Sequence, residues 1–353
     1  MKTTLALLAV LSLTTSCLAL ADDVPRVAPP TLTPPTVIIP PHLSFPVLVI
    51  DYKSWGLNRT LKAFNAVYSV SFNNDASVLA SSGSSANITL WDLKSGKATN
   101  ILNAHPESIP VVAFSSDGKR LASGGGNAGD NAIKIWDAAS GKLLKTVAGY
   151  PTGVKSLGWR TSDNALVSIG QGSKVIRVWN PDSGQSLQAW MQPETEFSPT
   201  ISGDGKRIVI FGKTKVIRGW DTSSGQMTQA WMSELIGTEC VTLNAKGTQV
   251  AAGASKFIKV WDMDTQQVLL FVMAHAEPVS QLAFNPRGTV LASVSADQTI
   301  KLWDVSSAKL LKTFGGLTGR TYALAWSADG RTLVSAGSDR IIRFWSASTP
   351  RTQ

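Results

Sequence analysis

The chain is predicted to be all-β: a seven-bladed β-propeller of four-stranded antiparallel blades, its ring closed by an N-terminal strand. Three observations predict this. Trp91, Trp136, Trp179, Trp220, Trp261, Trp303 and Trp345 recur at separations of 45, 43, 41, 41, 42 and 42 residues. A fixed period in that range marks one supersecondary unit per repeat. Each tryptophan also closes an apolar run, and Asp follows at Asp92, Asp137, Asp221, Asp262 and Asp304, with Asn180 and Ser346 standing in the other two. Finally, Gly-containing turns cut each period into short apolar stretches, and four short strands per period fit blades that stack only on their neighbours.

From the N-terminus, Lys2 precedes the apolar run 5–11, and Ala19-Leu20-Ala21 offers a small-x-small cleavage site. Residues 1–21 therefore read as a secretory signal peptide, too short and wrongly flanked for a membrane span. Cys17 opens a second route, lipid modification, although Thr14 stands where that route expects Leu. Residues 22–46 hold Pro25, Pro29, Pro30, Pro34, Pro35, Pro40, Pro41 and Pro46. That density blocks helix and sheet, so the segment is either a semi-rigid spacer or an unstructured leader.

The propeller is assigned to residues 47–347, with a tail at 348–353. Residues 47–51 resemble an inner strand that lacks a clear partner. Residues 58–64 precede the first complete repeat and read as a strand supplied to the last blade, which has no fourth strand after Trp345. Such a latch leaves no long open edge. The second repeat shows the internal grammar. Residues 111–115 form one strand, Ser116-Asp117-Gly118-Lys119 turns, 121–123 and 133–136 form two more, and 141–147 follows the Trp-Asp. Glycine accepts positive φ at no steric cost, so Gly118, Gly205, Gly247, Gly288 and Gly330 mark equivalent hairpin turns. The Gly124-to-Asn131 run explains the long 45-residue spacing as a lengthened turn, with a ligand-gripping flap as its functional reading.

These residues resemble the WD-repeat β-propeller family over roughly residues 57–347, most clearly in Ala274-His275, Leu282-Ala283-Phe284, Leu291-Ala292-Ser293, Asp297 and Thr299-to-Asp304. The resemblance implies a buried hydrogen-bonded network of His275, Ser293, Asp297 and Trp303, and another of His105, Ser123, Asp130 and Trp136. Buried polar groups persist when mutually satisfied, and a closed network stiffens its blade. Six residues before their tryptophans, blades one, three, four and five carry Ser85, Ser173, Thr214 and Ser255 instead of Asp, so these blades are expected to rely on apolar packing and to be softer.

A net charge of +9 invites a nucleic-acid reading. Much of it is periodic, however: Lys134, Arg177, Arg218, Lys259, Lys301 and Arg343 each stand two residues before a blade tryptophan. Lys206, Arg207, Lys213, Lys215 and Arg218 form a denser group, read either as a solvated face or as a site for an anionic envelope polymer. No basic stretch is interleaved with aromatics as in single-strand binders, and no nucleic-acid partner is expected. Catalytic signals are sparse. Of three histidines, two fall on network positions and His42 lies among the prolines; no metal-ligand spacing, nucleophile elbow or phosphate loop is present. Neither cofactor nor metal is expected, and the chain is not expected to be an enzyme. Cys240 would be the one cysteine left after cleavage.

The family resemblance implies a peptide-receiving channel mouth. Position by position, its rim here includes Tyr68, Lys155, Phe197, Glu239, Arg320 and Tyr322, an aromatic-plus-Arg composition that interface hot spots favour. Gln188-Ala189-Trp190-Met191 recurs as Gln229-Ala230-Trp231-Met232 in two outer strands, either as an apolar patch or with both indoles packed inward. The expected role is an exported, non-catalytic scaffold for a protein or peptide partner, periplasmic, envelope-bound or extracellular. The alternative is an exported propeller that binds or processes a carbohydrate or other anionic envelope polymer at the mouth.

Overall fold

The structure is a computed structural model that describes residues 50–347, apart from 127–128, 194–195 and 213–214; for 196–198 the backbone alone is described. The expected leader 1–21, the proline-rich stretch 22–46 with Cys17 and His42, residues 47–49 and the tail 348–353 lie outside the described residues. All that follows concerns the unit beginning at Ile50.

Seven antiparallel sheets, each of four strands, make the ring. Blade one comprises Val67–Phe72, Val78–Gly83, Asn87–Asp92 and Lys97–Asn103. Blade two runs Val111–Phe114, Arg120–Gly124, Ala132–Asp137 and Leu143–Ala148. Blades three, four, five and six repeat the order up to Leu310–Phe314. The first strand of every blade contacts the first strand of the next, including that of blade seven with that of blade one.

Closure comes from Trp55–Lys62, which pairs with Ile341–Ala347 from Trp55↔Ala347 to Lys62↔Ile341, so the outer strand of blade seven belongs to the other end of the sequence. The strand begins three residues earlier than expected and stops short of Phe64. Trp55 explains the early start: at 3% exposure it is sealed between Tyr52 and Trp326, with ring centroids 5.0 and 5.6 Å away. The inner strand expected over 47–51 is not formed at its described end. Ile50 and Asp51 lie outside any strand, and Tyr52–Ser54 is a single 3-10 turn capped by the Asp51 side chain.

Period-two alternation on both faces of a blade directs its side chains into two interblade layers. Seven hydrophobic clusters result, one across each blade–blade junction. Trp136, for example, packs with Ile88, Leu90 and Ile109 of its neighbour, and Trp345 with Leu302 and Phe314. Each blade is thus held by its neighbours and not by a private core. The repeated outer-strand tryptophans pack inward, Trp190 against the junction of blades three and four and Trp231 against that of four and five. The methionines beside them, Met191 and Met232, face solvent.

Candidate functional site: the channel mouth

Buried polar networks make the blades rigid enough to hold a surface site. In blade two, His105 bridges Asp130 (2.6 Å) and Ser123 (2.7 Å), and the Trp136 indole N–H donates to the same Ser123 oxygen at 3.0 Å. Blade six repeats the chain, with His275 to Asp297 at 2.9 Å, His275 to Ser293 at 2.8 Å, and Trp303 to Ser293 at 3.0 Å. Thr299 adds a bond to Asp297 at 2.7 Å. Burial holds both imidazoles below their ordinary pKa, against the pull of the adjacent carboxylates.

Blades one and three, expected to rely on apolar packing, keep buried polar bonds of their own. Blade three substitutes Tyr150 for the histidine: its hydroxyl meets Ser168 Oγ at 2.9 Å and donates to the Ser168 carbonyl at 2.6 Å, while Trp179 donates to Ser168 Oγ at 2.7 Å. Blades one and seven keep the Trp–Ser bond, Trp91 to Ser81 at 2.8 Å and Trp345 to Ser335 at 2.9 Å. In blade seven buried Leu317 takes the histidine position, and Asp339 pairs instead with Arg343 at 2.6 Å. Blades four and five carry Ile210 and Ala252 where the others have that serine. A polar signal at one alignment column could not reveal Tyr150, because a phenol and an imidazole share a ring and a hydrogen-bonding edge but not a residue type.

The periodic basic residues are structural. Lys134 Nζ donates to the Ala104 carbonyl and Lys301 Nζ to that of Ala274, each at 2.6 Å; Lys259 reaches Ser233 and Glu234. Each ties the end of one blade's outer strand to the next blade. In the denser basic group, Arg207 is paired with Asp264 at 3.0 Å and Lys213 lies outside the described residues.

The mouth itself is made by a recurring backbone irregularity. The innermost strand pair skips register between Val67 and Ser69, Val154 and Ser156, Glu196 and Ser198, Thr238 and Cys240, Val279 and Gln281, and Thr321 and Ala323. The skipped residues are Tyr68, Lys155, Phe197, Glu239, Ser280 and Tyr322. A β-bulge leaves its extra residue unpaired and re-aims the side chain; blade two pairs without a skip, and of the six bulge residues Tyr68, Lys155, Glu239 and Tyr322 share one opening. Tyr68, Lys155, Glu239 and Tyr322 line one concavity of about 370 Å³, together with Pro110 and Gln281. The Tyr68 and Tyr322 rings meet edge to face at 5.3 Å and 88°. Arg320 is beside them, its guanidinium 5.8 Å from the Tyr322 ring centre and 3.9 Å from the Glu239 carboxylate, with both charged side chains substantially exposed. For Phe197 the backbone position alone is described, at the blade-four bulge.

Among the described residues, Glu239 is the one carboxylate lining this concavity, and no group of three or more His, Cys, Asp or Glu could hold a metal. Cys240 lies directly behind the rim, where burial pushes its thiol up to about 12 and removes it from nucleophilic chemistry at neutral pH. What the arrangement offers is an edge-to-face aromatic pair beside a partly paired guanidinium and a lysine on a rigid frame. That is equipment for contact. No helix among the described residues is long and apolar enough to cross a membrane.

The family model for the WD domain, G-beta repeat, matches residues 55–92, 96–137, 266–304 and 308–346. Each match begins on or just before the outer strand of one blade and ends on or next to the Trp-bearing strand of the next, so the sequence repeat is offset by one strand from the structural blade. The unmatched stretch covers most of blades three, four and five. Similar proteins include the CCR4-associated factor 4 homolog of Candida glabrata, 30% identical over 38% of this chain and 24% of that protein. The transcriptional corepressor LEUNIG_HOMOLOG of Arabidopsis thaliana is 28% identical over 38% of this chain and 18% of its own length. The serine-threonine kinase receptor-associated protein of Gallus gallus is 26% identical over 42% of this chain and 41% of its own. The chain thus spans less than half the length of each of these relatives.

Proposed function

The chain belongs to the WD-repeat β-propeller family, and from that premise we propose that it is a non-catalytic interaction scaffold which receives a protein or peptide at the channel mouth. The observation that carries this reading is the bulge-presented set Tyr68, Tyr322 and Lys155 on one concave rim, with Arg320 beside Tyr322. Aromatic and Arg side chains concentrate binding energy at interfaces because they cover a large area while keeping a polar tip. A rim on rigid, neighbour-locked blades loses little conformational freedom on binding. The carbohydrate or anionic-polymer reading has less in its favour: one carboxylate lines the mouth, and Arg320 already has Glu239 within 3.9 Å.

We further propose that the scaffold works outside the cytoplasm, because Lys2, the apolar run 5–11 and Ala19-Leu20-Ala21 have the order of a cleaved export signal. The proline-rich 22–46 would then hold the ring away from whatever it is attached to. Two measurements test the two halves. Intact-mass analysis of the protein purified from its native host should give an N-terminus at Asp22; an unprocessed Met1, or a lipid on Cys17, contradicts soluble export. Affinity capture from the envelope fraction with the ring as bait should yield a saturable protein partner, and capture of glycan alone would favour the alternative.

A further inference from the structure

Blade one has a hole where blades two, three, six and seven have a buried side chain. The residue in register with His105, His275 and Tyr150 is Phe64: Ala104 and Ala274, which precede the two histidines, each bond the turn beneath them just as Ala63 does before Phe64. His105, His275 and Tyr150 are 3%, 3% and 1% exposed, whereas Phe64 is 68% exposed and turned outward. The second space-filler is missing too, since Thr89 replaces the lysine or arginine found in blades two to seven. What remains is a cavity of about 330 Å³ bounded by Ser81, Ser85, Asn87, Thr89, Ile101 and the outward Phe64, at the lower end of sizes that hold small ligands.

We propose that this cavity is a second binding site, independent of the channel mouth, which takes the side chain of a tyrosine presented by a partner protein. The chain's own blades define the complementary chemistry. Ser81 is 5% exposed and accepts the Trp91 N–H at 2.8 Å, which leaves its hydroxyl proton for an acceptor on the cavity side. In blade three the same serine position, Ser168, is met by the Tyr150 hydroxyl, which also donates to the Ser168 carbonyl. Histidine at this place comes with a carboxylate, Asp130 or Asp297. Tyrosine comes with Ser173, six residues before its tryptophan, and blade one has Ser85 there. A phenol is therefore the ring that this polar lining completes, and imidazole lacks its orienting partner. Phe64 cannot serve, because it has no hydroxyl to satisfy Ser81. Phe64 and Ile101, the latter 49% exposed, leave an apolar collar open to solvent through which an outside ring can enter.

The test uses p-cresol, the tyrosine side chain itself, with toluene and 4-methylimidazole as comparators, in ligand-observed NMR titrations of the purified protein. We expect saturable p-cresol binding at millimolar concentrations, about tenfold tighter than toluene, the span one hydrogen bond supplies. Ser81→Ala should make p-cresol and toluene equal. Because Ser81 is buried, Phe64→Tyr at an exposed position provides a second arm: its own phenol should fill the cavity, abolish p-cresol binding and raise the melting temperature. Equal binding of p-cresol and toluene to the wild type, no saturable p-cresol binding, or undiminished binding in Phe64→Tyr would overturn the proposal.

Discussion

At His275 three polar groups converge in a space almost closed to water, and the consequences for stability can be worked out. Replacing His275 with Ala leaves Ser293 and Asp297 without their shared partner, and a buried group so stranded costs about 1–3 kcal/mol. Chemical denaturation should show a loss of that size, and a loss near zero would place the network outside the folding energetics. The pH response follows from the same burial. His105 and His275 are held below the ordinary value by desolvation, which outweighs the nearby carboxylates. Above about pH 6.5 both folded and unfolded chains are neutral at these sites and the full stability is present. Below it the unfolded chain takes up protons that the fold rejects, so stability falls with acidification. Asp297 acts in the same direction at lower pH: burial opposes ionisation, but bonds from Thr299 and His275 hold its pKa down, so its contribution is lost as pH drops through that value. The melting temperature should therefore fall from pH 7.5 to pH 5.5, and less steeply in His105→Asn/His275→Asn. Equal slopes would contradict the assignment. The identities of these network residues were legible in the sequence because residue type and offset from tryptophan were both intact. Tyr150 was not, since a different residue type performs the bond to Ser168.

Among the elements, the strand Trp55–Lys62 has the largest structural duty for its length, since it covers the open edge of blade seven. Deleting residues 1–64 should expose that edge and produce aggregation, whereas deleting 1–49 should leave melting unchanged. A soluble monomer with wild-type melting after the longer deletion would show that the ring closes another way. Trp55→Ala offers a milder version, expected to cost about 3–5 kcal/mol for a buried indole. Blades four and five, with Ile210 and Ala252 in place of the serine that ties the tryptophan, should lose amide protection first in hydrogen exchange. Uniform protection around the ring would refute that ranking. The strand count and the latch were readable from a 41-to-45-residue period, but the bulges were not. Each bulge sets inward side chains three apart, as Val154 and Leu157 or Val279 and Leu282, instead of two, but in a six-residue strand that single interval does not stand out, so Tyr68 and Lys155 carry no clear local mark of the turn that aims them at the channel. The same blindness hid the blade-one cavity, which exists because Phe64 points outward, a choice of direction that residue type does not encode.

At the scale of the whole molecule, neighbour-locked blades bring the bulge residues Tyr68, Lys155, Glu239 and Tyr322 to one opening, and we propose that opening as the place where a protein partner docks. Tyr68, Arg320 and Tyr322 come from blades one and seven, which become neighbours only because the two ends of the sequence meet in one sheet. Fold and function are thereby linked through closure. The most direct test compares wild type with Tyr68→Ala/Arg320→Ala/Tyr322→Ala in equilibrium binding to the captured partner, with thermal melting recorded in parallel. A binding loss of at least about 2 kcal/mol, roughly thirtyfold in affinity, is expected, with melting within a few degrees of wild type. Undiminished affinity in a normally melting triple variant would contradict it and move the docking face away from the channel mouth.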